Sequence, residues 1–448
     1  MKTINNIVFL MLASFLIQSC DYSDVNDDPT KLSGVSLSLM LPELEVGAVF
    51  NYGTNPGRVA GIWMQQLEGI DAQQLAHNRY LTPEDAMNNY WRTGLYVGTL
   101  SSATVIIDQA QEEGSLFYSG VAKIIMANEL GLATSFFGDL PLSEAFQGVN
   151  NLQPSYDSQE SIFAEVFRLL EEGTSELSGG GYTGGDIIFG GDADAWAKTA
   201  KAFEARFRLM MGKRDASNYS AALAAVNASY ASAADDAIFT FGTAETQNYS
   251  LAKFGTERPS TITFNAQFAD MLSGDPRLAK YASEDGAFHV SGSTDLTWSR
   301  NDASVPLVSY AEMMFIKAEV EARNGDDADA SLAAAVRASM ALSGVDDADA
   351  VDAYVGGLGS ASVETVITEA YKAYYGFNFH QTWSNWRRTG FPNLTAVSNA
   401  APDFNPSLSI PQRYLYVDSE STTNPESVQA AKDRQGGALL DATLWVFQ

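Results

Sequence analysis

The stretch Ala193-Asp194-Ala195-Trp196-Ala197-Lys198-Thr199-Ala200-Lys201-Ala202-Phe203-Glu204-Ala205-Arg206-Phe207-Arg208-Leu209-Met210-Met211-Gly212 decides the fold class. Trp196, Ala200, Phe203, Phe207, Met210 and Met211 recur at steps of three and four, the spacing of one face of an α-helix. Asp192 or Asp194 is placed to cap its start, and Gly212 marks its end. The same period returns along the chain. Ile162, Val166, Leu169 and Leu170 share a face in 158–172, where Asp157 with Glu160 fits a capping spacing. Ala311, Met314, Phe315, Ala318 and Ala322 stripe 310–323, closed by Asn324-Gly325. Val363, Val366, Ile367, Ala370, Tyr371 and Tyr374 repeat the pattern. Further helices are expected at 58–74, 83–112, 116–136, 219–229, 264–272 and 328–342, and the small residues of 120–133 permit close helix approach.

Helix following helix through short turns predicts an all-α, tetratricopeptide-like stack of helix pairs, although no strict repeat period is present. Strand signals are sparse: 187–189, 237–241 and 288–290 read as short strands or extended loops. The stretches 178–192, 243–261 and 284–306 read as loop-rich, and 391–448 as mostly irregular. Long irregular segments in a compact protein tend to carry function. The expectation is a helical scaffold with a loop-built ligand-binding face.

Asp+Glu number 55 against 27 Lys+Arg, a formal net charge of -28. Such a surface repels phosphate backbones, so nucleic acid is set aside, and it suits neutral or cationic ligands. The single cysteine, Cys20, excludes an intramolecular disulfide and any cysteine-based metal site. Its position is informative. Lys2 is followed by a mostly apolar run over 7–17, too short to span a bilayer, and then by Leu16-Ile17-Gln18-Ser19-Cys20. This resembles a bacterial lipobox, in which the cysteine becomes the acylated first residue. Residues 1–19 are therefore expected to be a lipoprotein signal peptide. Residues 20–37 are expected to be the lipidated cysteine and an acidic, flexible tether, and 38–448 a single helical domain.

No sequence pattern for catalysis is evident. His77, His289 and His380 show no ligand spacing, and neither a nucleophile elbow nor a phosphate loop occurs. Asp326-Asp327-Ala328-Asp329 and Asp346-Asp347-Ala348-Asp349 lack the calcium-loop pattern and read as helix caps. Neither metal nor cofactor is implied. Binding a sugar requires rings that stack on its C–H faces and planar polar groups at its edges. Tyr80 with Asn78, Trp91, Tyr249, and Trp298 with Arg300 and Asn301 are the candidates, because each aromatic sits in or beside polar sequence. Trp386, Arg387 and Arg388, near Trp383, read as structural, an arginine over an indole locking a loop.

Several phrases resemble the SusD/RagB superfamily, in particular its SusD-like type 2 branch. Asn26 and Pro29 lie in a similar post-anchor segment. Phe136-Phe137-Gly138-Asp139-Leu140-Pro141-Leu142-Ser143-Glu144-Ala145, Gly184-Gly185-Asp186 before Trp196, Asp275-Pro276-Arg277 and Tyr310-Ala311-Glu312 follow in family order. Asn385-Trp386-Arg387-Arg388-Thr389-Gly390-Phe391-Pro392 is the most specific match. Val417, the helix beginning at Ala200 and the ending Leu444-Trp445-Val446-Phe447 depart from the family pattern. The resemblance implies a tetratricopeptide-type scaffold at the outer membrane, lipid-anchored and facing the cell exterior. It also implies non-catalytic capture of a glycan or peptide-like nutrient for a SusC-like TonB-dependent transporter. The alternatives are a tetratricopeptide-type protein-interaction scaffold and, less favoured, a glycoside hydrolase.

Overall fold

A computed structural model describes residues 34–289, 295–437 and 439–448. The expected signal peptide, Cys20 and most of the tether lie outside the described residues, as do Val290 at the end of an expected strand and the polar residues just before Asp295. Leu37–Gln448 form one compact unit. Helices α1 (Leu37–Tyr52) and α2 (Asn55–Trp63) open it. Strand β1 (Leu67–Gly69) and a short helix at Ala72–Asn78 follow. A π-helical run, Tyr90–Ser101, feeds α3 (Ser102–Glu113) and then α4 (Leu116–Phe137). Strands β2 (Leu140–Pro141) and β3 (Tyr156–Asp157) precede α5 (Gln159–Glu176).

Helices α6 (Ala193–Met211) and α7 (Ser217–Asn227) form a pair. Strand β4 (Ala237–Thr240), helix α8 (Ser250–Glu257), β5 (Ile262–Phe264) and β6 (Ser304–Val308) lead to the next pair, α9 (Tyr310–Asn324) and α10 (Asp329–Leu342). Helices α11 (Val363–Ala373), α12 (Phe379–Thr389) and α13 (Pro425–Arg434) complete the body. Helix-on-helix packing is dominated by α4 on α5, α9 on α10, α6 on α7 and α3 on α4. The protein is mostly helical, as its periodicity predicts.

The local causes are visible. Asp192 Oδ1 accepts from the Asp194 and Ala195 amides at 2.9 and 3.1 Å, and Trp196, Phe203 and Phe207 of α6 are buried. Helix α4 is buried nearly all round, which marks it as the central element. Gly131 makes that possible: a Cβ there would stand 2.3 Å from the Phe207 ring. The cap of α5 is Ser158, whose Oγ accepts from the Ser161 amide at 3.2 Å, and not Asp157 as its spacing suggested. Asp157 instead accepts from the Leu142 and Ser143 amides, joining the β2–β3 ribbon.

Three expectations are corrected. The helix expected over 58–74 stops at Trp63. Gln65 there has φ 55° and donates to the Thr395 carbonyl, while Gln66 donates to the Tyr371 carbonyl, so long-range bonds override local propensity. The chain then pairs β1 antiparallel with β5. The helix expected over 83–112 is broken into a 3-10 turn, the π-helical run and α3. Finally, the loop-rich stretch 243–261 holds α8, whereas 391–448 is mostly irregular around Asp418–Thr423 and α13, with Tyr414 and Tyr416 donating to the Pro56 and Asp139 carbonyls. Of the strand signals, 237–240 pairs antiparallel with β6, whereas 187–189 and the described part of 288–290 form no strand.

Several charges inside the helix stack are matched. Arg206 on α6 is fully buried and donates to both carboxylate oxygens of Glu312 on α9, at 2.6 and 2.8 Å. Arg277 meets Asp275 and Glu369, each at 2.7 Å. Asp347 caps the helix Ala348–Gly356, and Asp329 accepts from the Ala361 amide, so members of both acidic clusters serve backbone amides. Among the described residues no helix is long and apolar enough to cross a membrane.

Glu45 on α1 fastens the glycine-rich segment before α6, accepting from the Ile187 amide at 2.9 Å. Burial and the neighbouring Asp186 raise its carboxyl from 4.5 to about 9. The unfolded carboxyl ionises near 4.5 while the folded one keeps its proton, so this contribution is complete below 4.5 and is lost as pH rises toward 9. Glu45→Gln copies the protonated group. Its unfolding free energy is expected to fall less steeply with pH, exceeding that of the parent by about 2 kcal/mol at pH 8, against a ceiling of ~1.4 kcal/mol per pH unit. Parallel stability–pH curves in urea would refute this account of Glu45.

Candidate functional site

A cavity of about 810 Å³ opens between α1, α2, the π-helical run and α8. Its location follows from the chain's first corner. The turn from α1 to α2 is closed by Thr54 Oγ1, which donates to the Asn51 carbonyl at 2.7 Å. Helix α8 docks against this turn because residue 53 is glycine: a Cβ there would lie 2.5 Å from Ser250 Oγ and 2.8 Å from the Leu251 nitrogen. Ser250 Oγ in turn donates to the Phe50 carbonyl at 2.7 Å.

The walls combine apolar surface with fixed polar groups. Pro42, Val46, Phe50 and Phe254 supply the first. Phe50 keeps 37% of its surface exposed. Asn51, Asn55 and Asn89 supply planar amides, and Arg58 a guanidinium. Asn51, Asn55 and Arg58 are held in place. Asn51 Nδ2 donates to Glu129 at 2.9 Å, and Asn55 Nδ2 donates to the Ala86 carbonyl at 2.8 Å. Arg58 donates to the Gly53 carbonyl at 2.7 Å and to Asn55 Oδ1 at 2.5 Å, and stands 4.0 Å over the Phe254 ring. Burial lowers the Arg58 pKa to about 10, a shift that Tyr249 and Glu257 oppose. Behind Asn51, burial raises Glu129 to about 8 against the pull of the Asn51 and Asn128 amides. Phenyl faces with amide and guanidinium edges match a ligand having one apolar face and a polar rim.

A second cavity, about 910 Å³, lies among Phe264, Asp275, Leu278, Ser283 and Asp295. Its described lining contains no amide side chain and no cation, and its one aromatic ring belongs to Phe264. It lacks the equipment of the first.

The aromatics singled out from sequence do not line the first cavity, and their expected exposure is corrected. Tyr80 is 1% exposed, and its hydroxyl accepts from the Val397 amide at 3.2 Å. Asn78 is half-buried at the end of the Ala72–Asn78 helix. Trp91 is buried edge-on against Phe137 at 5.0 Å. Tyr249 is buried and donates to the Gly376 carbonyl at 3.1 Å. Trp298 is buried against Phe377 at 4.6 Å. Arg300 pairs with Asp302 at 2.6 Å, and the Asn301 carbonyl accepts from the Tyr249 amide at 2.9 Å. Polar neighbours in sequence do not bring a ring to the surface when their backbone is engaged and the loop folds over it. Two of the guesses fall one residue from the site, since Tyr90 and Ser250 line it while Trp91 and Tyr249 face inward. Phe50, Asn55, Arg58 and Phe254 were missed. A signal existed in Asn51 to Arg58, where amides, threonine and glycine crowd between two apolar runs.

Trp386 is half-buried. Arg387 stacks 3.8 Å over Trp383 and 4.1 Å over Phe447, and Arg388 pairs with buried Glu319. This cluster sits on helix α12 and not on the loop expected for it, and the indole under the arginine is Trp383.

A helix-pair stack of this kind is the fold of SusD/RagB proteins. A SusD/RagB family protein from Bacteroides thetaiotaomicron superposes with a TM-score of 0.76 at 22% identity, covering 92% of this chain and 99% of that one. A chitin-binding protein aligns with a TM-score of 0.76 at 23% identity, over 92% and 100% of the two chains. A chitin-binding SusD homologue from Flavobacterium johnsoniae gives 0.73 at 18% identity, over 90% and 98%. The chain belongs to the SusD-like family described as starch-binding and associating with the outer membrane, whose model matches residues 29–417. No curated protein matches the sequence significantly.

Proposed function

We propose that this chain is a non-catalytic nutrient-capture lipoprotein that holds a glycan in the cavity between α1, α2 and α8. The observation that carries the reading is the set of Phe50 and Phe254 rings beside the fixed Asn51 and Asn55 amides and the exposed Asn89, on a scaffold of the starch-binding family. Cys20 anchors the protein by lipid at the outer membrane, facing the exterior, and residues 20–37 tether it. A SusC-like TonB-dependent transporter takes the ligand from it. Chemistry is not part of this role: His77 is held by burial down to about 4, and burial holds His380 well below its ordinary value, so neither is poised as a general base near neutral pH.

Calorimetry with chito- and maltooligosaccharides tests the reading. Phe50→Ala is expected to weaken binding about tenfold, ~1.4 kcal/mol. Its melting temperature should stay close to that of the parent, because the ring is already part-exposed. Unchanged affinity in Phe50→Ala removes the cavity from the proposal. Reducing ends released by the purified protein alone would remove the non-catalytic role. Gentle detergent extracts that never yield a large TonB-dependent barrel with this chain would remove the partner.

A further inference from the structure

Arg58 differs from the other buried arginines. Among the described residues six are buried: Arg58, Arg206, Arg277, Arg387, Arg388 and Arg413. Arg206, Arg277 and Arg388 meet carboxylates. Arg387 and Arg413 make no such pair, but each spreads its guanidinium over backbone carbonyls and side-chain oxygens through Nε and both Nη atoms. Arg58 makes two bonds, to the Gly53 carbonyl and Asn55 Oδ1, and its buried Nε finds no acceptor among the described residues. No carboxylate of the described residues stands within salt-bridge distance of it. It is more than nine-tenths buried and forms part of the wall of the 810 Å³ cavity.

A desolvated cation is costly unless an anion or several acceptors surround it, and breaking a buried ion pair is costly for the same reason. Here the compensation within the chain is incomplete, and the arginine lines a ligand-sized space. The carboxylates lining the cavity are Glu43 and Glu257, and Glu257 already has Lys253 at 3.8 Å. The lining therefore carries two cations and two anions, a local balance unlike the net charge of -28 for the chain. A planar guanidinium takes a carboxylate through two parallel hydrogen bonds, which a hydroxyl cannot copy.

We propose that this cavity selects a saccharide bearing a carboxylate, a uronic-acid residue, with Arg58 receiving the carboxylate and Phe50 and Phe254 the ring face. The inference rests on glycan capture at this site and narrows it. A short ligand with a single acid group fits best, since a long polyanion would meet the acidic surface beyond the cavity.

The test is calorimetry on the full mature chain with a uronic-acid-terminated trisaccharide, its carboxyl-reduced neutral counterpart and its 6-O-sulfated counterpart. The uronate is expected to bind at least tenfold more tightly than the neutral sugar. Arg58→Gln should remove that preference, so that uronate and neutral sugar bind alike, and Arg58→Lys should restore part of it. If Arg58→Gln fails to fold, the comparison of ligands on the parent chain decides. Equal binding of uronate and neutral sugar overturns the inference but leaves glycan capture standing. Tightest binding of the sulfate overturns the carboxylate assignment. No binding of any saccharide overturns both.

Discussion

Arg206→Ala is expected to lower the unfolding free energy by about 3–5 kcal/mol, the usual cost of stripping one partner from a buried ion pair. The reason is the number of groups left behind. Glu312 would lose both guanidinium bonds, at 2.6 and 2.8 Å, and remain buried. Asn128 Oδ1 and the Leu307 carbonyl, which accept from Arg206 at 2.9 and 2.8 Å, would lose a donor as well. With Tyr52, whose hydroxyl oxygen accepts from Arg206 at 3.2 Å, these groups belong to α1, α4, α6, α9 and β6, so the guanidinium ties five elements across the core. Urea unfolding of Arg206→Ala, Glu312→Ala and the double variant provides the measurement. The double should lose less than the sum of the singles, because removing both charges leaves none unpaired. A loss below 1 kcal/mol in Arg206→Ala would mean that the pair is not buried as described.

Trp298→Ala is expected to cost a similar ~3–5 kcal/mol, the range for emptying a large aromatic site in a core. Read from sequence alone, Trp298 is either a ligand-stacking ring or a packing aromatic, and the structure gives the second. The indole is 1% exposed, packs 4.6 Å from Phe377 and lies so close to Gly376 that a Cβ there would stand 2.3 Å from Trp298 Cβ. Its Nε1 finds no acceptor among the described residues, so Trp298→Phe keeps the stacking, removes an orphaned donor and should cost only about 1–2 kcal/mol. A Trp298→Ala protein with parental stability and no glycan binding would return the ring to the surface.

The contrast between Trp298 and Phe50 shows why the fold was more legible than the site. Trp298 sits between Thr297 and Ser299 in polar sequence and is buried; Phe50 ends the run Val46-Gly47-Ala48-Val49 and is part-exposed. Local polarity reports where water would be if the segment stood alone. It does not report which other segment covers it. The seat of Phe50 depends on α8, some 200 residues away, whose approach depends on a missing side chain at Gly53.

Helix periodicity alone determined the architecture, because an apolar stripe at steps of three and four can be buried in water only by packing against another helix. That holds for α5, α6, α9 and α11 without knowledge of their partners. The family phrases, in their order, added the kind of scaffold. Only the tertiary structure decided which rings and amides line the proposed site and which buried arginine keeps an N–H without an acceptor. Those properties arise from distances between segments far apart in the chain, such as α1 with α8 or Gln65 with Thr395. No window of sequence contains such a distance.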